Sequence, residues 1–158
     1  ARKDPKGFGV PGMGRDGCRV PMPWTAGPGH GFTESDVPPW LPFGEDADVR
    51  NVEMQLSGDD SMLNFVRQLL ALRRRRPSLH RGTFAFLDDA PDDVLSYVRQ
   101  VDGEQSTVLI NFSSATRTVT VSSTAKVLAS TDGASLLAGA SVSLAPHAAM
   151  VLDTGPDS

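Results

Sequence analysis

Cysteine is nearly absent from this chain: Cys18 is the single one in 158 residues. No internal disulfide can form, and a reducing, cytoplasmic compartment is the expectation. Long apolar runs are missing too. Nothing approaches the roughly 20 residues of a membrane-crossing helix, so no membrane partner is expected. Basic excess is also lacking, with 15 Lys and Arg against 19 Asp and Glu and a net charge of −4. That balance argues against nucleic acid, whose phosphates require a basic footprint. Aromatics amount to only 6%, with Tyr97 the one tyrosine and Trp24 and Trp40 the two tryptophans. His30, His80 and His147 stand apart from one another without zinc-binding spacing, so neither a metal nor a cofactor is expected.

What is present is unevenly spread. Residues 1–58 hold 10 of the 15 glycines and 8 of the 12 prolines and show almost no hydrophobic period. A loop region of that length points to a functional loop or to a missing support. Ala1 is not a methionine, and the basic residues after it precede no apolar stretch, so these residues are not expected to be a signal peptide and a longer parent polypeptide is expected. The densest part is Gly14-Arg15-Asp16-Gly17-Cys18-Arg19-Val20-Pro21-Met22-Pro23-Trp24. Two guanidinium groups, a carboxylate, two prolines and an indole share eleven residues that suit neither helix nor strand, which favours a fork-shaped cation held in one place.

Residues 51–56 suggest one short turn of helix. Over 59–76, Met62, Leu63, Phe65, Val66, Leu69, Leu70 and Leu72 recur at helical spacing, with Asp59, Asp60 and Ser61 as caps, Arg73 to Arg76 as a solvated end and Pro77 as the stop. From residue 80 the period becomes two. Strands are predicted over 83–87, 94–101, 107–112, 116–121, 126–130, 141–144 and 148–152, with hairpin or turn signals at Asp102-Gly103 and Thr131-Asp132-Gly133. Six or seven short strands with close turns predict an antiparallel β-sandwich.

The string Arg15 to Trp24, then Gly31-Phe32-Thr33 and Pro39-Trp40-Leu41-Pro42, resembles the stretch after the eighth barrel strand in α-glucosidases of glycoside hydrolase family 13, a group that includes the oligo-1,6-glucosidases. In the same order, Asn51-Val52-Glu53-Met54-Gln55 resembles that family's short helix and Asp60-Ser61-Met62-Leu63-Asn64-Phe65 through Leu72-Arg73 its last barrel helix. Asn111-Phe112-Ser113 and Leu144 through Leu152 resemble two strands of its C-terminal β domain. Pro23 departs from the Gln of many relatives, and His147 from an aromatic.

The resemblance implies an α+β fragment. Residues 1–78 would be the end of a TIM (β/α)8 barrel, a long loop plus the last helix, and residues 79–158 an antiparallel β-sandwich C-terminal domain. It implies a retaining α-glucosidase acting on terminal bonds of malto- or isomalto-oligosaccharides, with its nucleophilic Asp, acid/base Glu and stabilising Asp all upstream of residue 1. No catalytic residue is therefore expected here, and the chain by itself should be inactive. Such enzymes need two carboxyl groups about 5 Å apart. Asp88-Asp89 and Asp92-Asp93 read instead as solvated turn acids, and Asp59-Asp60 as caps.

By resemblance Arg15 is the substrate-binding residue, reaching the subsite of the non-reducing-end glucose and the catalytic carboxylates, where a cation lowers the nucleophile's pKa. The other reading pairs Arg15 with Asp16 or a barrel-rim acid. Arg19 is expected to brace the loop by pairing with Asp16. Trp24 and Trp40 are read as buried wedges, or else as sugar-stacking platforms. Cys18 is read as packing. The implied partners are an α-glucoside oligosaccharide and the upstream barrel segment, plus a second copy if the exposed face of helix 59–76 is left uncovered. Two further readings stay open: a non-catalytic carbohydrate-binding or scaffold module, and the heavy-chain subunit of amino-acid transporters, which the single cysteine and acidic balance disfavour.

Overall fold

A computed structural model describes residues 3–5, 14–131, 134–137 and 139–155. Asp132 and Gly133 of the second turn signal lie outside the described residues. The chain divides into two compact units, Ala1–Arg67 and Gln68–Ser158.

The first unit is a loop pinned by polar contacts rather than by a large core. Short 3-10 turns run over Asp16–Cys18 and Pro28–Gly31. Helix α1, Val52–Ser57, starts at Asn51, whose Oδ1 accepts from the Met54 N–H at 3.0 Å. The same buried side chain donates to the carbonyls of Ala47 and Asp48, so one amide both caps the helix and fastens the preceding turn. Val52 and Glu53 donate to the carbonyls of Pro23 and Trp24, which docks the proline-rich string on α1. Helix α2, Met62–Arg75, is capped by Ser61, whose hydroxyl accepts from the Asn64 N–H at 3.1 Å. Asp59 and Asp60 leave that role to Ser61. Asn64 donates to the carbonyls of Gln55, Leu56 and Gly58, satisfying the open end of α1.

In the second unit Pro77 does not simply stop a helix. It opens another, α3, Pro77–Arg81, where its missing N–H costs nothing. Arg76 between the two is not a solvated arginine: it donates to Asp153 at 2.8 Å and to the Gln105 carbonyl, with Glu104 at 3.6 Å. Arg73, Arg74 and Arg75 are exposed, as expected.

Eight strands follow among the described residues: β1 Thr83–Phe86, β2 Val94–Val101, β3 Glu104–Asn111, β4 Arg117–Thr120, β5 Lys126–Ser130, β6 Ala134–Leu137, β7 Ser141–Leu144 and β8 Ala149–Asp153. One antiparallel sheet runs β1-β2-β3-β8-β5 and the other β4-β7-β6. Val94, Leu109, Met150 and Leu152 of the first sheet share one buried cluster with Val119, Val142 and Leu144 of the second. Asp102 and Gly103, at φ +49° and +82°, form the tight β2–β3 hairpin, with Val101 paired to Glu104. Strand β3 thus begins three residues earlier than its apolar alternation indicated. Strand β6 falls outside the predicted strands, because its four residues lie along the edge and mostly face solvent.

Asn111 ends β3 with its side chain buried, and its amide donates to the carbonyls of Ala115, Leu144 and Ala145. Its Oδ1 accepts from the Ser113 N–H and hydroxyl. The Asn-Phe-Ser triplet is therefore a turn built around a buried amide.

Candidate functional site

Arg15 lies between Gly14 and the turn Asp16–Cys18. Its Nε and Nη2 donate to the two carboxylate oxygens of Asp4, each at 2.8 Å, and its backbone N–H donates to Asp4 Oδ2 at 2.7 Å. The Asp4 side chain is fully buried, whereas that of Arg15 is 45% exposed. Hydrogen bonding to Asp4, joined by its charge, raises the Arg15 pKa above its ordinary value, so the fork is charged at every working pH. Burial of a carboxylate demands such a partner.

Asp16 returns the clasp. Its carboxylate accepts from the backbone N–H groups of Lys3 at 2.8 Å and Asp4 at 3.0 Å. It does not brace Arg19, as spacing had suggested, because those two amide donors take its oxygens. Arg19 is exposed. The Lys3 ammonium lies 4.8 Å from the centroid of the Trp40 ring. Thus residues 3 and 4, the Arg15 turn and Trp40 converge. In the sequence only the position of Asp4 ahead of Pro5, a pair that favours a turn, marks it out.

Other expectations are corrected. Trp40 is 75% exposed and Trp24 47%, so neither is a buried wedge. Cys18 is exposed rather than packed, its Sγ 3.0 Å from the Arg15 carbonyl. Among the turn acids, Asp93 is not simply solvated. Arg117 grips it through Nε and Nη2 at 2.8 and 2.6 Å, and that hydrogen bonding holds its pKa below the ordinary carboxylate range. Asp88, Asp89 and Asp92 are exposed. His30 sits edge-on to Phe43, with ring centroids 4.4 Å apart. No group of three or more metal-ligating side chains occurs among the described residues, and no helix among them is long and apolar enough to cross a membrane.

The α-amylase catalytic-domain family model matches residues 3–82, the segment that carries the Asp4–Arg15 clasp, α1, α2 and α3. The chain belongs to the α-amylase family. Curated relatives include the trehalose synthase/amylase TreS of Mycobacterium tuberculosis, 39% identical over 101 residues, which are 61% of this chain and 17% of the relative. The α-glucosidase MAL12 of Saccharomyces cerevisiae is 35% identical over 117 residues, 70% of this chain and 20% of the relative. The chain therefore spans about a fifth of the length of these relatives. Among solved structures, the trehalulose synthase MutB of Pseudomonas mesoacidophila matches with a TM-score of 0.76 at 26% identity, over 89% of this chain and 26% of that protein.

Proposed function

We propose that this chain is the C-terminal portion of a retaining α-glucosidase that hydrolyses terminal α-glucosidic bonds of malto- or isomalto-oligosaccharides. Residues 1–78 supply the loop after the eighth barrel strand and the last barrel helix, and residues 79–158 a β-sandwich domain. The observation that carries this reading is the half-exposed Arg15 guanidinium, clamped at one edge on the family-matched segment. In a TIM barrel the loops at the C-terminal ends of the strands build the active site. A fixed fork there suits two sugar oxygens. Arg15 is the substrate-binding residue, and the reacting carboxyl groups belong to other parts of the enzyme. Helix α2 closes the barrel wall. Its Met62, Val66 and Leu70, all exposed at four-residue steps, face the upstream barrel segment or, in its absence, a second copy.

The chain by itself is expected to release no glucose from p-nitrophenyl α-glucoside, and measurable release would overturn the reading. One observation favours a carbohydrate-binding module instead: the exposed rings of Phe84 and Phe86, 4.8 Å apart, with Tyr97 5.0 Å from Phe84. Calorimetric titration of the same chain with maltodextrin separates the two, since the glucosidase reading expects no heat of binding without the barrel.

A further inference from the structure

Of the three asparagines, Asn51, Asn64 and Asn111, only Asn111 is followed two residues later by a serine or threonine. Asn111-Phe112-Ser113 thereby matches the acceptor pattern for N-linked glycans. In that modification Nδ2 attacks C1 of a lipid-linked oligosaccharide. The Nδ2–C1 bond forms, the bond from C1 to the lipid diphosphate breaks, and one amide proton is released.

The fold already occupies Nδ2. Asn111 is 1% exposed, and Nδ2 donates to the carbonyls of Ala115, Leu144 and Ala145 at 2.8, 3.1 and 2.9 Å. Two amide hydrogens thus serve three acceptors. A sugar carbon in place of one hydrogen leaves a single donor for three carbonyls and sits against their oxygens. The Ser113 hydroxyl, which the acceptor pattern also requires, lies 2.8 Å from Asn111 Oδ1 and 3.0 Å from the Ala115 carbonyl. The backbone is pinned as well, since Asn111 donates its N–H to Ala148 and Phe112 its own to Asp93. Asn111 ends β3 in the first sheet and Leu144 ends β7 in the second, so this one amide ties the two sheets together. Additional polypeptide can bury the side chain more deeply but cannot uncover it.

We propose that a glycan on Asn111 and the native β-sandwich exclude each other, so that the protein folds only on a route where no N-glycosylating enzyme meets the unfolded chain. A bulky, hydrated substituent belongs on a surface, and here its attachment atom lies between two sheets. The glucosidase reading is not needed for this step.

The test sends the 158-residue chain through the secretory route of a eukaryotic host, beside the variant Ser122→Asn. That substitution places a second acceptor pattern, completed by Thr124, on the exposed turn between β4 and β5. Glycan occupancy at each position is read by mass spectrometry before and after a brief proteolysis that destroys unfolded chain. Occupancy at Asn111 should fall at least tenfold in the surviving chain, while occupancy at position 122 should change less than twofold. Equal occupancy of Asn111 before and after proteolysis overturns the proposal. A glycan at position 122 that is depleted as strongly also overturns it, because any glycan would then block folding. Should Asn111 take no glycan at all in the host, the unmodified chain still decides. Its Asn111 Nδ2 hydrogens, followed by ¹⁵N NMR, should exchange with solvent at least 100-fold more slowly than those of free asparagine, and exchange at the free rate overturns the proposal.

Discussion

At the scale of single residues, this protein relies on polar side chains that serve several backbone groups at once. Asn51, Asn64 and Asn111 each bind three or more backbone groups near the ends of helices and strands, where the ladder leaves such groups open. Asn111 is the most consequential of these in the second unit, because the carbonyls of Ala115, Leu144 and Ala145 all turn to its amide. Asn111→Ala leaves them without that donor, and a buried carbonyl stripped of its partner costs on the order of 1–3 kcal/mol. The expected loss is about 3 kcal/mol in urea denaturation followed by circular dichroism. A loss below about 1 kcal/mol would mean that water replaces the amide.

At the scale of elements, the joint between α3 and β1 is the tightest point. A Cβ added at Gly82 would lie 2.5 Å from the Ser78 carbonyl oxygen and 3.0 Å from the backbone N and O of Gln100. All of these are backbone atoms, and those of Gln100 are fixed by its β1–β2 pairing with Thr83. Gly82 also gives its N–H to Ser78 and its carbonyl to Arg99, so it cannot shift without breaking one of them. Gly82→Ala is therefore expected to cost about 2 kcal/mol or more, as overpacking of a rigid site does. Hydrogen exchange should show the loss first at β1, whose residues are all exposed and whose one pairing partner is β2. Wild-type protection of β1 amides in the variant would contradict this.

At the scale of the whole molecule, stability should depend on pH through three carboxylates. Hydrogen bonding to Arg117 lowers the pKa of Asp93, and hydrogen bonding to Arg76 lowers that of Asp153. For Glu104, burial alone would raise the pKa, but the Ser78 hydrogen bonds and the Arg76 charge outweigh it and the net direction is down. Their ordinary values are 3.8 for Asp and 4.5 for Glu. Below those values the unfolded chain takes up protons that the folded chain refuses. The stabilisation is therefore complete above about pH 5 and is lost as pH falls through 4.5 and 3.8 toward the folded-state values. Tm should stay level from pH 7 to 5 and drop below pH 4.5. Arg117→Gln should flatten part of that drop, and an equally steep fall in the variant would show that Asp93 contributes nothing to it.

Local rules on the sequence determined the helix at 62–75, the Asp102-Gly103 hairpin and most strand positions, because helical spacing, β alternation and positive-φ turn residues act within a few residues. They also determined the family, since several motifs in one order constrain more than any single one. Tertiary structure alone decided which partners Arg15, Arg76 and Arg117 take. Arg15 pairs with Asp4 eleven residues away, Arg76 with Asp153, and Arg117 with Asp93, and no period or spacing encodes such distances. Salt-bridge geometry depends on where the backbone has already brought the groups. The nearest acid in the sequence, Asp16, was for that reason the wrong partner for Arg19, its oxygens having been claimed by two amides of a segment that only the fold brings near.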